Sequence, residues 1–236
     1  MAGALALMLM AAPVAGQELD EAEVKRLALE AIRENPEIVM EAVEILRQRE
    51  EAAVADAAAS VLEERRDALE RDPNAPVMGA AEGDVTVVEF FDYNCPYCRR
   101  AAPELEALIE ADEGVRVVMR EWPILGEGSE FAARAALASR GQGLYEPFHW
   151  ALMELSGRAE EDTVIEAARE VGLDVDRLRV DMEASEVEEH IALSMELAEG
   201  LGFSGTPSFV VGDALVPGLV PREDLEDLIA EAREAE

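Results

Sequence analysis

The sequence is poor in cysteine, histidine, aromatic side chains and positive charge, and each shortage excludes something. There are two cysteines in 236 residues, Cys95 and Cys98, three positions apart. A disulfide closing so short a loop restricts the unfolded chain least, so the pair is a poor staple and is better explained by chemistry. A zinc site is disfavoured, because no second cysteine pair exists and His149 and His190 lack close ligand spacing. Haem attachment needs a histidine directly after the second cysteine, where Arg99 stands. No other metal site and no cofactor is implied. With aromatics at 5%, the core is expected to be aliphatic and helix-rich.

Positive charge is scarce: 20 basic against 53 acidic residues leave a net charge of −33. Phosphate backbones and anionic lipid would be repelled, which argues against nucleic acid as a partner. The acidity reads as a strongly solvated surface suited to high salt, or as a face for a basic partner. Long apolar runs are missing except at the start. Met1 to Gly16 carries no charged side chain, and Ala4 to Ala12 has the character of a secretory h-region, with Val14 and Gly16 small enough for cleavage before Gln17. No basic stretch precedes it, so the true start is expected further upstream. The run is too short to span a bilayer comfortably. The expectation is a signal peptide at 1–16 and an exported protein, soluble after its removal, in a compartment that permits disulfides.

What is present is helix, then mixed structure. Leu19 to Asn35 places Leu19, Val24, Leu27, Ala28, Ala31 and Ile32 on roughly one face. Pro36 suits the first turn of a second helix, with Asn35 as its cap. No Gly or Pro interrupts the chain between Glu37 and Arg71, so this helix could run to about Asp72. A helix of that length needs a partner: its own catalytic domain, or other copies of the chain. Asp72 to Gly83 reads as a linker or irregular lead-in strand. Val85 to Phe91 should be a buried central strand. Asp92 to Asn94 turns, and a helix follows from Cys95 to about Ala111. Val115 to Arg120 is a second strand, parallel to the first because a helix separates them. A helical stretch runs to about Leu197, broken at Gly141 to Gly143, Ser156-Gly157 and Gly172. Phe209–Val211 and Ala214–Val216 form a hairpin around Gly212-Asp213, and Arg222 onward is an amphipathic helix. This order describes an α/β chain of thioredoxin-like fold, with an inserted helical subdomain at about 127–197 and an N-terminal helical extension. The domains expected are 17–72 for the extension and 73–236 for the catalytic part.

Cys95-Pro96-Tyr97-Cys98 lies where the buried strand gives way to a helix. Cys95 would sit near the N-cap with Pro96 at the first helical position. Orphan N–H groups and the helix dipole there favour a negative sulfur. The thiolate is the attacking species in disulfide exchange, so Cys95 is the candidate nucleophile. Cys98, one turn in, is the candidate resolving thiol. Glu89 is out of place among Val87, Val88, Phe90 and Phe91 unless it works or faces water. Buried, it should have a raised pKa and could relay a proton to or from Cys98. His149 and Trp150 are expected to pack within the insert, and His190, among Glu186, Glu188 and Glu189, to be a surface histidine with a raised pKa.

Val87 to Cys98 (Val-Val-Glu-Phe-Phe-Asp-Tyr-Asn-Cys-Pro-Tyr-Cys) resembles the active-site segment of the DsbA family of periplasmic oxidoreductases. Trp122 to Gly126, Ser129 to Ala138 and Gly205-Thr206-Pro207-Ser208-Phe209 resemble it too, so the likeness covers about Val77 to the C-terminus. Leu19 to Asp72, with Asn35-Pro36-Glu37, resembles the N-terminal extension of the ScsC (suppressor of copper sensitivity) branch. The resemblance implies a cis-proline at Pro207 beside the sulfurs, which offers no N–H and keeps a metal from settling between the thiols. It implies that Thr206 meets the substrate as an added strand, and that Glu89 lies beneath the second cysteine. Tyr97 departs from the best-studied DsbA pattern, which has histidine there. Tyr supplies no cation, so a less acidic Cys95 and a less oxidising couple are expected. The function expected is exchange of disulfides with exported proteins, with a membrane redox partner. Alternatives are an oligomeric disulfide isomerase or reductase assembled through residues 19–72, and a copper(I)-binding or chaperone-like thiol protein.

Overall fold

A computed structural model describes residues 20–235; the expected export signal at 1–16 lies outside them. The chain divides into two compact units, Met1–Ala52 and Ala53–Glu236. In the first, helix α1 (Glu21–Glu34) starts at Asp20, whose carboxylate accepts the Glu23 N–H at 2.8 Å. That bond satisfies one of the orphan donors of the first turn. None of the residues of α1 is buried. Helix α2 (Glu37–Glu70) crosses the boundary between the units. Its buried residues are Ala58, Leu62 and Leu69, all within the second unit. The second compact unit begins at Ala53, inside α2.

The second unit is built on a five-stranded sheet of order β1-β3-β2-β4-β5. Strand β2 (Val85–Phe91) pairs in parallel with β3 (Val115–Glu121) over helix α3 (Pro96–Ala111). The lead-in residues form β1 (Val77–Gly79), antiparallel to β3. Strands β4 (Ser208–Val211) and β5 (Ala214–Pro217) make the hairpin, and β4 pairs antiparallel with β2. Gly212 turns that hairpin at φ +56°, a region that costs glycine nothing. Between β3 and β4 lie α4 (Glu127–Ser139), α5 (Tyr145–Met153), α6 (Glu161–Glu170), α7 (Val175–Asp181) and α8 (Ser185–Gly200), and α9 (Arg222–Ala235) closes the chain.

Side chains alternate across the strands, and the two faces feed separate cores. Val87, Phe91, Val117, Met119, Phe209 and Val211 face the layer that holds α3, α9 and much of the insert. Val88, Phe90, Val118 and Val210 face Leu62 and Leu69 of α2 and Leu197 and Leu201 around the end of α8. The second half of α2 is thus a covering layer of the sheet.

One buried polar cluster locks it there. Arg120 of β3 has no exposed surface. Its guanidinium donates to the Leu69 carbonyl (3.1 and 2.8 Å), to the Asp72 carboxylate (2.7 Å) and to the Ala68 carbonyl. These are among the carbonyls left unpaired at a helix C-terminus, so Arg120 serves as the cap of α2. His190 of α8 is buried in the same cluster, which corrects the expectation of a surface histidine. Its Nε2 accepts the Glu121 N–H at 3.2 Å, and burial pushes its pKa down, against the pull of Asp72. Its acidic neighbours in sequence point elsewhere on the helix. Among the described residues no helix is long and apolar enough to cross a membrane.

Candidate active site

The turn after β2 is held from three directions. The Asp92 carboxylate accepts the N–H of Asn94 (2.7 Å) and of Leu125 (2.9 Å). The Asn94 side chain donates to Ala159 O (3.0 Å) and Ser129 Oγ (3.1 Å) and accepts the Ala159 N–H (2.7 Å). Arg99 donates to the carbonyls of Tyr93 (2.8 Å), Leu155 (2.7 Å) and Gly157 (2.6 Å). The cysteine loop is thereby fixed to the insert before any substrate arrives. Sequence reasoning saw Asp92 and Asn94 as turn residues only. Their partners lie far along the chain and left no local signal.

Cys95 is the N-cap of α3, with extended backbone (φ −80°, ψ 118°) and Pro96 at the first position. Both cysteines are free thiols. The Cys95 thiol donates to the Thr206 carbonyl at 3.1 Å. Its pKa is pushed down to about 5, chiefly by hydrogen bonding from Cys98, helped by Thr206 and the N–H groups of Cys98 and Tyr97, and opposed by burial. Tyr97 is half exposed and contributes its backbone; Arg100 lies over its ring at 5.8 Å. Cys98 has no exposed surface, and burial first, then Cys95 and Glu89, push its thiol far above the ordinary range. One turn of helix separates a sulfur that ionises easily from one that resists it.

Glu89 is buried on the sheet face that carries Val87 and Phe91. Its Oε1 has no hydrogen-bond partner, and burial, reinforced by the charge of Cys95, pushes its pKa up to about 8. The Thr206–Pro207 bond is cis. The Pro207 carbonyl accepts the Gly218 N–H at 2.9 Å, which ties this loop to the end of β5. The structure therefore brings Cys95, Cys98, Glu89 and Thr206 together.

A second buried polar group, unforeseen in the sequence, adjoins the turn. Tyr93 and Tyr145 both donate to Glu121 Oε1 at 3.0 Å, and Tyr93 Oη also lies 3.0 Å from His149 Nδ1. Burial pushes Glu121 well above the carboxylate range and lowers His149 to about 3. His149 thus packs across the boundary between insert and turn, against Phe91 and Tyr93. The one local signal was a glutamate ending a buried strand just before Trp122-Pro123.

The family model for the DSBA-like thioredoxin domain matches residues 86–230. The chain belongs to this family. Its Cys95–Cys98 pair is the dithiol of a thiol–disulfide oxidoreductase domain. The model for the copper resistance protein ScsC N-terminal domain matches residues 20–53, so the extension is ScsC-like. A thioredoxin-like oxidoreductase from Silicibacter pomeroyi DSS-3 is 67% identical, the match covering 72% of this chain and 99% of that one with a TM-score of 0.72. A linker-deletion mutant of Proteus mirabilis ScsC is 27% identical over 95% of this chain and 100% of that one, also at 0.72. Among curated proteins, the Na(+)/H(+) antiporter NhaA 3 of Salinispora tropica is 33% identical over 137 residues, 57% of this chain and 21% of that protein. The chain spans about a fifth of the length of such curated relatives.

Proposed function

We propose that the protein works outside the cytoplasm, exchanging disulfides with exported proteins through Cys95-Pro96-Tyr97-Cys98. The observation that carries this reading is the opposed pair of thiols: Cys95 pushed down to about 5 at a helix N-terminus, and Cys98 sealed beneath it beside Glu89. In the reducing direction the Cys95 thiolate attacks a substrate disulfide, and one substrate sulfur leaves as thiolate. With the Cys95 charge gone in the mixed disulfide, Glu89 in its ionised form takes the Cys98 proton, and the Cys98 sulfur attacks Cys95, forming the internal disulfide and releasing the second substrate sulfur. In the oxidising direction the steps reverse: Cys98 leaves from sulfur and takes its proton from Glu89, and two electrons pass from substrate to protein. Thr206, next to the cis bond, offers its backbone to the substrate as an added strand. A membrane partner would then restore the redox state. The test is stoichiometric. Reduced protein mixed with a scrambled disulfide substrate should gain one disulfide for each one the substrate loses, read by mass after alkylation. Cysteines that stay reduced throughout would overturn the reading.

A second reading concerns direction. Val24, Leu27, Leu29, Ile32, Ile38, Val39, Met40, Val43, Ile45 and Leu46 are exposed, and residues 20–53 match the ScsC extension. We infer an assembly of several copies through these helices, kept reduced and acting as isomerase or reductase, because several sites on one frame suit reshuffling of wrong disulfides. Light scattering of the full chain and of a form lacking residues 17–52 tests it; a monomeric full chain would remove it. The cut stops at 52 because α2 is buried in the catalytic unit from Ala58 onward.

A further inference from the structure

A groove of about 700 Å³ is lined by the turns of α3 that follow the dithiol and by the loop after β5. Its walls continue the two segments that carry the redox site. One wall is α3, which starts at Cys95 and contributes Arg99, Arg100 and Glu104; the other is the loop from Gly218 to Arg222, whose first N–H is bonded to the Pro207 carbonyl. The groove's two walls are thus chain neighbours of the dithiol and of the Thr206–Pro207 loop. Leu219 and Val220 give the groove an apolar floor.

Its charge runs against that of the chain. With 53 acidic and 20 basic residues in the sequence, an average cleft would be acidic. This one presents Arg99, Arg100 and Arg222 against the single acid Glu104. Among the described residues, Arg222 pairs with Glu226 (3.0 Å), whereas Arg99 and Arg100 form no ion pair. Arg99 donates to backbone carbonyls through Nε and Nη1, its buried Nη2 has no partner, and Arg100 is exposed. Guanidinium forks recognise carboxylates in two-point fashion.

We propose that this groove selects, among segments flanking the reactive cysteine of a partner protein, those bearing acidic side chains. The proposal rests on the reading that the dithiol exchanges disulfides with proteins, and it names a class of substrate for that same site. The remaining surface repels acidic chains at long range, so the arginines supply the attraction where the cysteine has to dock.

The experiment uses the full-length oxidised protein and two synthetic peptides of equal length, each with two cysteines, one flanked by glutamates and one by glutamines. Each peptide passes two electrons to the Cys95–Cys98 disulfide and becomes a disulfide itself. At an ionic strength that shortens the reach of the net charge, the glutamate peptide should react about fivefold faster. In Arg100→Glu/Arg222→Glu the rate ratio of the two peptides should fall about fivefold or more, and Arg100→Gln/Arg222→Gln should lie between. Because the ratio is taken within one protein, a change in the reactivity of Cys95 cancels. Equal rates in the parent, or an unchanged ratio in both variants, would overturn the assignment. Failure of both peptides to reduce the protein at all overturns the exchange reading, and the groove assignment with it.

Discussion

The mouth and the floor of the dithiol site are one helical turn apart and obey opposite electrostatics. At the mouth, Cys95 meets helix N–H groups, the Thr206 loop and two exposed neighbours, Pro96 and Tyr97. At the floor, Cys98 and Glu89 are sealed under the sheet face, and Glu89 Oε1 lacks any partner. Ionisation is favoured above and penalised below, by the same fold, because hydrogen-bond donors converge on one end and water is excluded from the other. An exchange cycle needs both. A sulfur that leaves readily contacts the substrate, and a sulfur that holds its proton waits until the mixed disulfide has formed.

Removing one sulfur at a time breaks the comparison most severely. Cys95→Ser should lower exchange by at least about a thousandfold, since the nucleophile itself is gone. Cys98→Ser should keep the first attack and lose the release, so mixed disulfides with substrate accumulate on Cys95. Non-reducing gels of both variants with a disulfide-bonded substrate check this. Adducts on Cys95→Ser would reverse the assignment of mouth and floor.

That contrast was legible in the sequence to an uneven degree. The run of β-branched and aromatic residues from Val85 to Phe91 marked the strand to the residue, and Pro96 after Cys95 marked the helix start. Glu89 was conspicuous because a carboxylate does not belong in such a run. What could not be read was contact between distant segments. Leu46 and Leu62 look alike in sequence, yet one is exposed and the other buried, because only the second half of α2 covers the sheet. His190 reads as a surface residue for the same reason, and nothing local to Arg120 announces a helix cap: their partners, the Glu121 N–H and the carbonyls ending α2, are supplied by tertiary packing. Glu121 followed suit, since its phenol donors come from the turn and from α5.

Glu89→Gln sharpens the comparison at the floor. Losing the proton acceptor should slow resolution of the mixed disulfide by about a hundredfold while sparing the first attack. Stability should respond as well, with a sign set by the raised pKa. Below the ordinary 4.5 both folded and unfolded chains hold the Glu89 proton. Between 4.5 and about 8 the unfolded chain releases it and the folded chain does not, so stability falls as pH rises through that window and levels off above it. The full span is on the order of 5 kcal/mol as an upper figure. Glutamine carries no proton to lose, so the gain of Glu89→Gln over the parent should grow from pH 5 to pH 8. Cys95 works the other way, since a depressed thiol stabilises the reduced fold at high pH and loses that as pH falls through about 5. Denaturant melts of the oxidised protein, where neither sulfur titrates, isolate the burial of Glu89 from the charge of Cys95, so the window there closes below about 8. A gain that stays flat across the window would show that its proton is not held by burial.

The smallest change concerns the mouth. Tyr97→His places a titratable cation beside a thiolate that reaches about 5 without one from that position. Position 97 is half exposed, so solvent screens most of the new attraction. Arg100, stacked over the Tyr97 ring, already supplies positive charge nearby, and its repulsion lowers the fraction of the new histidine that is protonated. The thiolate absorbance should therefore titrate lower by only about half a pKa unit. Stabilising the thiolate stabilises the reduced form, so the couple should become more oxidising by about 15 mV. The floor should not follow, because a charge outside the sealed layer leaves the surroundings of Cys98 and Glu89 unchanged. A shift of a full unit or more at Cys95 would mean that the residue between Pro96 and Cys98, and not the helix terminus with its hydrogen bonds, governs the mouth.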